Sequence, residues 1–278
     1  MKQKRTKFGS ICLYTFLVIV SLLFIFPIYY TLINALRDVY STPAVLLPKG
    51  FHWENFKYAV TLIPFFKYLK NSLIILGITV ILGVPLNFLF GYALSRLDAP
   101  GKGILFMIVL AQMMIPSFAL QIPQYILFSN MGFQDTYWIW VAMALGGNSY
   151  QIFLYKQYLQ SMPKAIEEAA IIDGCSIWQV IIKVIAPLSK PVVAIAFFNS
   201  FTIGWGDYMT PYMYLSKENY PLVMALFSVD YSFPSNPSFK LIPVVNAATL
   251  LLMIPVFIVF FLCQKQLVEG ATFSGVKG

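Results

Sequence analysis

The sequence predicts an all-α membrane protein with about six transmembrane helices. Of its 278 residues, 59% are hydrophobic and only 11% are charged, whereas charged residues usually make up about a quarter of a soluble domain. Apolar runs of roughly 20 residues, long enough to cross a bilayer, recur along the chain. The mean hydropathy of +0.74 agrees with this class of protein.

The apolar runs place the six predicted spans at residues 11–36, 70–95, 104–128, 137–158, 191–213 and 239–263. The first span follows the basic segment MKQKRTKFGS, which is typical of the start of a signal peptide. Its apolar run is too long for such a peptide and no small-residue cleavage site follows, so we expect it to be retained. Pro116 and Pro123 predict a bend in the third span.

The positive charges predict the orientation of the chain. With the N-terminus in the cytosol, twelve of the 19 lysines and arginines fall on the cytosolic side, so the positive-inside rule places both termini there. We expect a cytosolic N-terminus over residues 1–10, a transmembrane domain over 11–263 and a cytosolic tail over 264–278. Within the transmembrane domain, residues 160–190 form a long cytosolic loop.

Several classes of function are disfavoured by composition. Cys12, Cys175 and Cys263 lack the spacing of a metal site or a disulfide framework. A membrane-embedded enzyme would need converging ionisable side chains, and His52 is the only histidine. The net charge of +8 is spread along the chain, so membrane topology explains it better than a nucleic-acid partner does.

The long cytosolic loop carries the signals of a short helix in SMPKAIEEAAIIDG. Pro163 suits the first turn, and Glu167 and Glu168 lie near the N-terminal end, where negative charge is favoured. Gly174 suits a left-handed C-cap. A helix of about eleven residues, roughly 16 Å long, results, and it is too short and too polar to span a bilayer.

A second short helix, IWQVIIKVI, is predicted to be capped by Ser176 and ended by Pro187. Apolar residues at helical spacing form a stripe along the two helices: Ile166, Ala169, Ala170, Ile177, Ile181 and Val184. The stripe contacts the spans, another protein or lipid. The two glutamates favour a protein partner, because a helix lying on lipid carries lysine and arginine on its polar face.

The segment EAAIIDG, followed by nine residues and then VIAP, resembles the EAA loop of binding-protein-dependent ABC importer permeases. Matching positions are Glu168, Ala169, Ala170, Gly174 and Pro187, while Val184 and Ala186 replace the usual Ile and Leu. GYALSR in the second span, WGDYMTPYMYL in the fifth and the tail QKQLVEGATFSGVKG resemble the carbohydrate-uptake branch, in short subunits similar to maltose permeases. In the fifth span, Gly206 replaces the usual Asn.

This resemblance implies an ABC type I importer permease fold with a cytosolic EAA coupling helix, in the bacterial inner (cytoplasmic) membrane. It implies ATPase-coupling residues at Glu167, Glu168, Ala169, Ala170, Asp173, Gly174 and Pro187, and tail-coupling residues at Gly270, Gly275 and Lys277. The expected partners are a second, related permease subunit, two ABC ATPase subunits and an extracytoplasmic solute-binding protein. This chain is expected to bind no cofactor and to hydrolyse no ATP, because Gly101-Lys102-Gly103 lacks a phosphate-binding loop. ATP and Mg are expected on the ATPase subunits.

Polar side chains within the spans are candidates for the solute pathway, since such groups are costly in lipid and turn inward. They are Asn87, Gln112, Gln121, Asn148, Asn199, Asp207 and Asn246. Hydrogen bonding between helices is the alternative role for each. Neutral amides near aromatic rings suit a carbohydrate, which we expect to be an oligosaccharide. Two alternatives stay open: an ABC permease for another small solute, and an ion-driven secondary transporter, which would need buried acids or a proton relay.

Overall fold

The computed structural model describes residues 7–41, 44–227, 231–236 and 239–275, and most of them are helical. The α-helices of these residues are α1 (Lys7–Ala35), α2 (Glu54–Thr61), α3 (Phe65–Ile78), α4 (Val84–Arg96), α5 (Lys102–Met114), α6 (Ser117–Asn130), α7 (Trp138–Gly146), α8 (Ser149–Ser161), α9 (Ala165–Ile172), α10 (Ile177–Gln179), α11 (Ala186–Leu188), α12 (Lys190–Gly206), α13 (Met209–Tyr214), α14 (Met224–Phe227) and α15 (Ile242–Gly275). Two π-helical segments, Thr79–Gly83 and Val180–Ile185, and a 3-10 turn, Lys217–Asn219, complete the helical elements.

Among the described residues, three helices are long and apolar enough to cross a membrane: Gly9–Ala35, Phe65–Arg96 and Ile242–Val268. Two further pairs of helices meet this criterion when each pair is taken together. One is α5 with α6, bent by 105°, and the other is Ile177–Leu188 with α12, bent by 81°. The described residues therefore contain up to five candidate spans. The bend between α5 and α6, in the third predicted span, lies next to Pro116, as predicted from that proline.

The fourth predicted span, 137–158, is divided into α7 and α8 by a break at Gly147 and Asn148. Gly147 has a φ of 79°, and Asn148 caps α8 by accepting a hydrogen bond from the Gln151 N–H. Helix α8 is much more polar than the other predicted spans, and its Gln151 and Lys156 are buried inside the protein. These buried polar residues of α8 therefore contact neighbouring helices instead of lipid.

Both π-helical segments precede a proline inside a continuous helix. Thr79–Gly83 comes directly before α4, whose second residue is Pro85, and Val180–Ile185 comes directly before α11, whose second residue is Pro187. A proline cannot donate to the helical ladder and its ring clashes with the carbonyl four residues earlier. We attribute the π turns to relief of this clash. The helix ends at Leu188, one residue after Pro187, and the chain then bends by 81° into α12, so the predicted end of this helix is confirmed to within one residue.

The described residues fall into two compact units, one within the bounds Met1–Phe66 and Ala225–Ile254 and the other within the bounds Lys67–Met224 and Pro255–Gly278. In the first unit, the amide of the buried Asn55 donates hydrogen bonds to the carbonyl oxygens of Ala35 (2.8 Å) and Arg37 (2.6 Å). These bonds attach α2 to the end of α1. Satisfying the carbonyl groups at a helix end in this way stabilises a turn that would otherwise expose them.

The core of the second unit lies between α4, α8, the π segment Val180–Ile185 and α12. Its buried residues are Phe88, Tyr92, Tyr155, Leu159, Val180, Ile181, Ile185, Val192 and Ala196. Gly91 permits a close approach of α4 to α8, because a Cβ atom there would lie 2.4 Å from the Cβ of Tyr155 and 3.1 Å from the backbone nitrogen of Lys156. Only a residue without a side chain fits at this position.

Candidate functional site

Helix α9 carries the EEAA segment and ends in a tight left-handed turn. The helix is capped by Asp173, and Gly174 follows with a φ of 83°. The Gly174 N–H donates to the Ile171 carbonyl (3.0 Å) and the Cys175 N–H to the Ala170 carbonyl (3.0 Å). This pair of bonds defines a Schellman motif, which requires the conformation that glycine adopts most easily. The predicted C-cap role of Gly174 is therefore seen in the structure.

The two adjacent acids of α9 have different environments. Glu167 is 9% exposed, forms an ion pair with Arg96 at 2.6 Å (Nε to Oε1) and accepts a hydrogen bond from the Tyr92 hydroxyl at 3.0 Å. Arg96 also donates to the Met162 carbonyl at 2.9 Å, just before α9 begins. Glu168 is exposed. The buried carboxylate of Glu167 therefore holds α9 in place, whereas the exposed carboxylate of Glu168 is accessible to another protein.

The outward side of α9 is a mixed apolar and acidic surface. We define the α9 face as the exposed residues Glu168, Ala169, Ile171, Ile172 and Asp173. Ile171 is 53% exposed and Ile172 is 86% exposed, and Trp178 on α10 is 59% exposed. Exposed isoleucines beside acids, on a helix whose other side is anchored by Glu167, are typical of a surface that another protein covers.

The predicted apolar stripe divides between the core and this surface. Ile181 is buried, and Ile166, Ala170 and Val184 are half-buried, whereas Ala169 and Ile177 are exposed. Ser176 forms a capping box with Gln179, which begins the second helix as predicted. The stripe thus follows the core for part of its length, and its remaining members extend the exposed apolar surface beside the α9 face.

A cavity of about 260 Å³ lies elsewhere in the second unit. It is lined by residues of the first π segment, α4, α7, α8 and α12: Thr79, Gly83, Asn87, Trp140, Met143, Ala144, Gly147, Asn148, Gln151, Asn199, Ser200, Ile203, Gly204 and Asp207. Most of the wall is apolar, and it also carries uncharged hydrogen-bonding groups and one carboxylate, that of Asp207. Such a lining suits a neutral ligand that carries hydroxyl groups.

Hydrogen bonds between amides form one wall of the cavity. Asn87 donates to Gln151 (Nδ2 to Oε1, 2.9 Å), and its own Oδ1 accepts from the Asn148 N–H at 2.8 Å. Gln151 donates in turn to the Ser200 hydroxyl at 2.6 Å. This network joins α4, α8 and α12 through buried polar groups whose partners are satisfied, which makes the wall rigid.

The chain matches a known family of membrane proteins over both of these regions. The model of the family described as "Binding-protein-dependent transport system inner membrane component" matches residues 83–271, more than half of the chain. The chain belongs to this family. It is therefore a membrane permease subunit of a binding-protein-dependent ABC importer, and not an enzyme. The matched residues include the α9 face and every residue that lines the cavity except Thr79.

Individual relatives of this permease agree with the family match. It is 31% identical over 276 residues to the maltodextrin transport system permease protein MdxG of Bacillus subtilis (strain 168), covering 97% of both chains. It is 27% identical to the arabinooligosaccharides transport system permease protein AraQ of the same organism, covering 96% of both. A crystal structure of a bacterial ABC transporter involved in the import of the acidic polysaccharide alginate shares the fold. The TM-score is 0.80, with 22% identity over 95% of this chain and 98% of that chain.

The structure brings four of the seven predicted pathway residues of the permease to the cavity, namely Asn87, Asn148, Asn199 and Asp207. Gln112 instead lines a more open hollow with Gln124 and accepts a hydrogen bond from the Ser149 hydroxyl at 2.6 Å. Gln121 lines neither hollow. Asn246 belongs to the first unit, where its amide donates to the Ile242 carbonyl at 3.1 Å.

The sequence interpretation missed Gln151, which has the most hydrogen-bonding partners in the cavity wall. A signal for it exists, because Gln151 stands three residues after Asn148 and so shares the first turn of α8 with its N-cap. Arg96 and Tyr92 were also missed as site residues, although both belong to the GYALSR segment. Their connection to Glu167 depends on tertiary packing, which spacing alone does not give.

Residues 264–275 of the predicted C-terminal tail form the end of α15. Gly270 packs against α12, since a Cβ there would lie 2.5 Å from Cδ1 and 3.4 Å from Cγ1 of Ile195. Gly275 is the last residue of α15, and the predicted tail residue Lys277 lies outside the described residues. The docked position of Gly270 shows that at least this part of the tail is attached to the second unit.

Asp135 organises the loops that the topology prediction places on the outer side. It has a φ of 56°, and it accepts hydrogen bonds from the Ser216 N–H (2.8 Å), the Ser216 hydroxyl (2.9 Å) and the Asn219 amide (2.9 Å). These hydrogen bonds hold the pKa of Asp135 below its ordinary value, and the bond from the Ser216 N–H has the largest effect. The carboxylate thereby attaches the chain before α7 to the 3-10 turn Lys217–Asn219.

Proposed function

We propose that this permease carries a carbohydrate, and most specifically an oligosaccharide, across the bacterial inner membrane by alternating access. The cavity lined by Asn87, Asn148, Asn199 and Ser200 is the observation that carries the proposal. Its neutral amides and hydroxyl groups match the hydroxyl groups of a sugar, and Trp140 supplies aromatic surface. The names of the relatives MdxG and AraQ, which refer to maltodextrin and arabinooligosaccharides, support the same class of solute.

In this proposal the α9 face receives mechanical work from an ATPase subunit. Glu168, Ala169, Ala170, Asp173 and Gly174 form or shape the contact, Pro187 lies in the loop's second helical segment, and Glu167 supports the helix from behind. ATP and Mg²⁺ act on two partner ATPase subunits. Their binding can drive transport only because it favours one arrangement of the permease over the other. Exposed apolar groups on a short anchored helix fit a helix-in-groove contact.

The remaining assembly follows the same proposal. A second, related permease subunit completes the pathway, and an extracytoplasmic solute-binding protein delivers the sugar at the outer loops. Both termini lie in the cytosol, the loop over residues 160–190 meets the ATPase, and the tail over 264–278 extends toward it with Gly270, Gly275 and Lys277. The family membership of the chain disfavours the ion-driven secondary transporter, whereas a different small solute is the outcome that the following experiment would reveal.

The test is uptake by the complete importer in proteoliposomes. The permease is purified with the proteins that accompany it, reconstituted with its solute-binding protein, and supplied with ATP inside the vesicles. We expect maltooligosaccharides or arabinooligosaccharides to stimulate ATP hydrolysis and to accumulate. Stimulation by an amino acid or an inorganic anion, with no response to a panel of neutral oligosaccharides, would overturn the carbohydrate assignment.

A change in the α9 face tests the coupling role. We expect Ile172→Asp to weaken binding of the ATPase subunits by about thirtyfold or more, because a hot-spot residue contributes about 2 kcal/mol to an interface and a buried carboxylate without a partner is unfavourable. Binding is measured by copurification at graded salt and detergent concentrations. Ile172→Leu is the matched control and should retain binding. Undiminished binding by Ile172→Asp would place the ATPase contact elsewhere.

A change in the cavity tests the solute pathway. We expect Asn199→Leu to lower the amount of sugar carried per ATP hydrolysed by about tenfold, the effect of losing a hydrogen bond worth about 1.4 kcal/mol. Sugar uptake and phosphate release are measured in the same vesicles. Thr202→Val on α12, an exposed residue outside the cavity lining, is the control and should leave the ratio unchanged. Equal ratios in both variants would exclude Asn199 from the pathway.

A further inference from the structure

The ion pair between Arg96 and Glu167 connects two helices that carry different parts of the proposed function. The two side chains are 5% and 12% exposed, and their nearest charged atoms are 2.6 Å apart. Tyr92, one turn before Arg96 on α4, donates its hydroxyl to the same carboxylate at 3.0 Å. Glu167 is therefore held from two successive turns of α4, which restrains both the position and the rotation of α9.

Arg96 also reaches the segment that leads into α9. Its guanidinium donates to the Met162 carbonyl at 2.9 Å, so a single side chain contacts α9 and the residues between α8 and α9. A planar guanidinium can make such contacts in fixed directions, whereas a lysine ammonium cannot. Arg96 therefore connects both α9 and the segment before it to the end of α4.

Helix α4 continues from this attachment to the cavity. Asn87 lies on α4 and is hydrogen-bonded to Gln151 of α8 at 2.9 Å. Between Asn87 and Arg96, Gly91 brings α4 into contact with α8 at a distance that leaves no room for a Cβ atom. The two helices therefore form one tightly packed pair, with the cavity wall at one position along it and the attachment of α9 at another.

We propose that Arg96 and Glu167 are positioning residues of the importer, whose ion pair makes α9 and the α4–α8 pair move together so that displacement of α9 alters the cavity. The inference rests on the proposed function, because it takes the α9 face as the contact with the ATPase. Stability alone is a weak explanation for the pair, since replacing a buried ion pair by apolar residues of similar volume is often neutral or stabilising. A defined orientation of α9 is what the charged pair supplies.

The experiment measures coupling in the complete importer in proteoliposomes. Glu167→Gln and Arg96→Met each remove one charge with little change in volume, and the double variant removes both. Sugar carried per ATP hydrolysed is compared among assembled complexes, and the amount of assembled complex is measured separately. If the ion pair has a purely structural role, the variants should lower the amount of assembled complex and leave the amount of sugar carried per ATP hydrolysed unchanged.

We expect each single variant to lower the ratio of sugar to ATP by about tenfold, the size of effect that residues along a coupling network produce. The double variant should be no worse than either single variant, because the two side chains act as one unit. Asp98→Asn is the matched control. It removes the exposed acid of the neighbouring pair Asp98–Lys102, whose charged atoms are 3.6 Å apart, and the ratio of sugar to ATP should not change.

If a single variant fails to assemble, Tyr92→Phe provides the test, since it removes only one hydrogen bond to Glu167 and should lower the ratio by about threefold. An unchanged ratio in Glu167→Gln, or in Tyr92→Phe where that variant is needed, would overturn the proposal. The α9 face is tested independently by Ile172→Asp. If Ile172→Asp loses ATPase binding while Glu167→Gln keeps normal coupling, only the positioning role is rejected. If Ile172→Asp binds the ATPase normally, the proposed coupling function of the α9 face is rejected.

Discussion

Replacing Gly91 with valine is expected to prevent α4 from packing on α8 and to leave the second unit poorly folded. A Cβ atom at residue 91 would lie 2.4 Å from the Cβ of Tyr155, and two backbone atoms of α8 lie within 3.3 Å of it. Neither a Cβ nor a backbone atom can move aside without displacing the helix. Overpacking usually costs about 1–3 kcal/mol and occasionally more, and the rigid neighbours place this site at or above the upper end.

The measurement is thermal unfolding of the detergent-purified protein, followed by size-exclusion chromatography of heated samples. Gly77→Val is the matched control, because Gly77 also lies inside a long helix and a Cβ there would meet nothing within 4 Å. We expect the control to retain nearly the full melting temperature, while Gly91→Val loses several degrees or yields no monodisperse protein. Comparable losses in the two variants would show that helix propensity, and not the close contact, decides the outcome.

The class of fold is predictable from this sequence because the bilayer imposes the same requirement on every segment that crosses it. Any span must be apolar over roughly 20 residues, and α1 and α15 meet that requirement through their own composition. The pair α7 and α8 does not, because Gln151 and Lys156 are covered by neighbouring helices and so escape the requirement. Hydropathy still predicts one span at 137–158, because it does not separate residues that face lipid from residues that are covered by neighbouring helices, and it does not show the break between α7 and α8.

The two acids of α9 show where prediction of the site ends. In the sequence, Glu167 and Glu168 are neighbours of the same type, and the resemblance implies an ATPase contact for both. On a helix, successive residues point about 100° apart, so one faces Arg96 and the other faces outward. Which of the two is buried depends on the position of α4, which the local sequence does not encode.

The polar residues of the spans are a second example. Their presence in apolar runs predicts that they avoid lipid, and four of the seven do line the cavity. Their partners were not predictable, because Asn87 and Gln151 are 64 positions apart and meet only through the packing of α4 on α8. The same packing explains why Gly91, a residue without any functional group, is required at this point.

Replacing Gly174 with valine is expected to abolish stimulation of ATP hydrolysis by the loaded solute-binding protein. Gly174 has a φ of 83° and closes the Schellman motif at the end of α9. A β-branched residue in this conformation costs about 1–2 kcal/mol, and the turn can relieve the strain by reorienting α9. The α9 face would then no longer meet its partner in the required direction, so we expect at least a tenfold loss of stimulation, on the order of what misplacement of a contact costs.

Gly132 provides a control with the same local geometry at a different place. It follows α6 with a φ of 75°, and its turn is closed by the corresponding two bonds, from the Gly132 N–H to Ser129 (2.9 Å) and from the Phe133 N–H to Phe128 (3.0 Å). A Cβ atom at either glycine would meet nothing within 4 Å, so valine imposes the same backbone strain at both. Gly132→Val should therefore lower the melting temperature as much as Gly174→Val does while stimulation is retained. If stimulation is lost equally in both, general destabilisation explains the effect, and the turn after α9 has no special part in coupling.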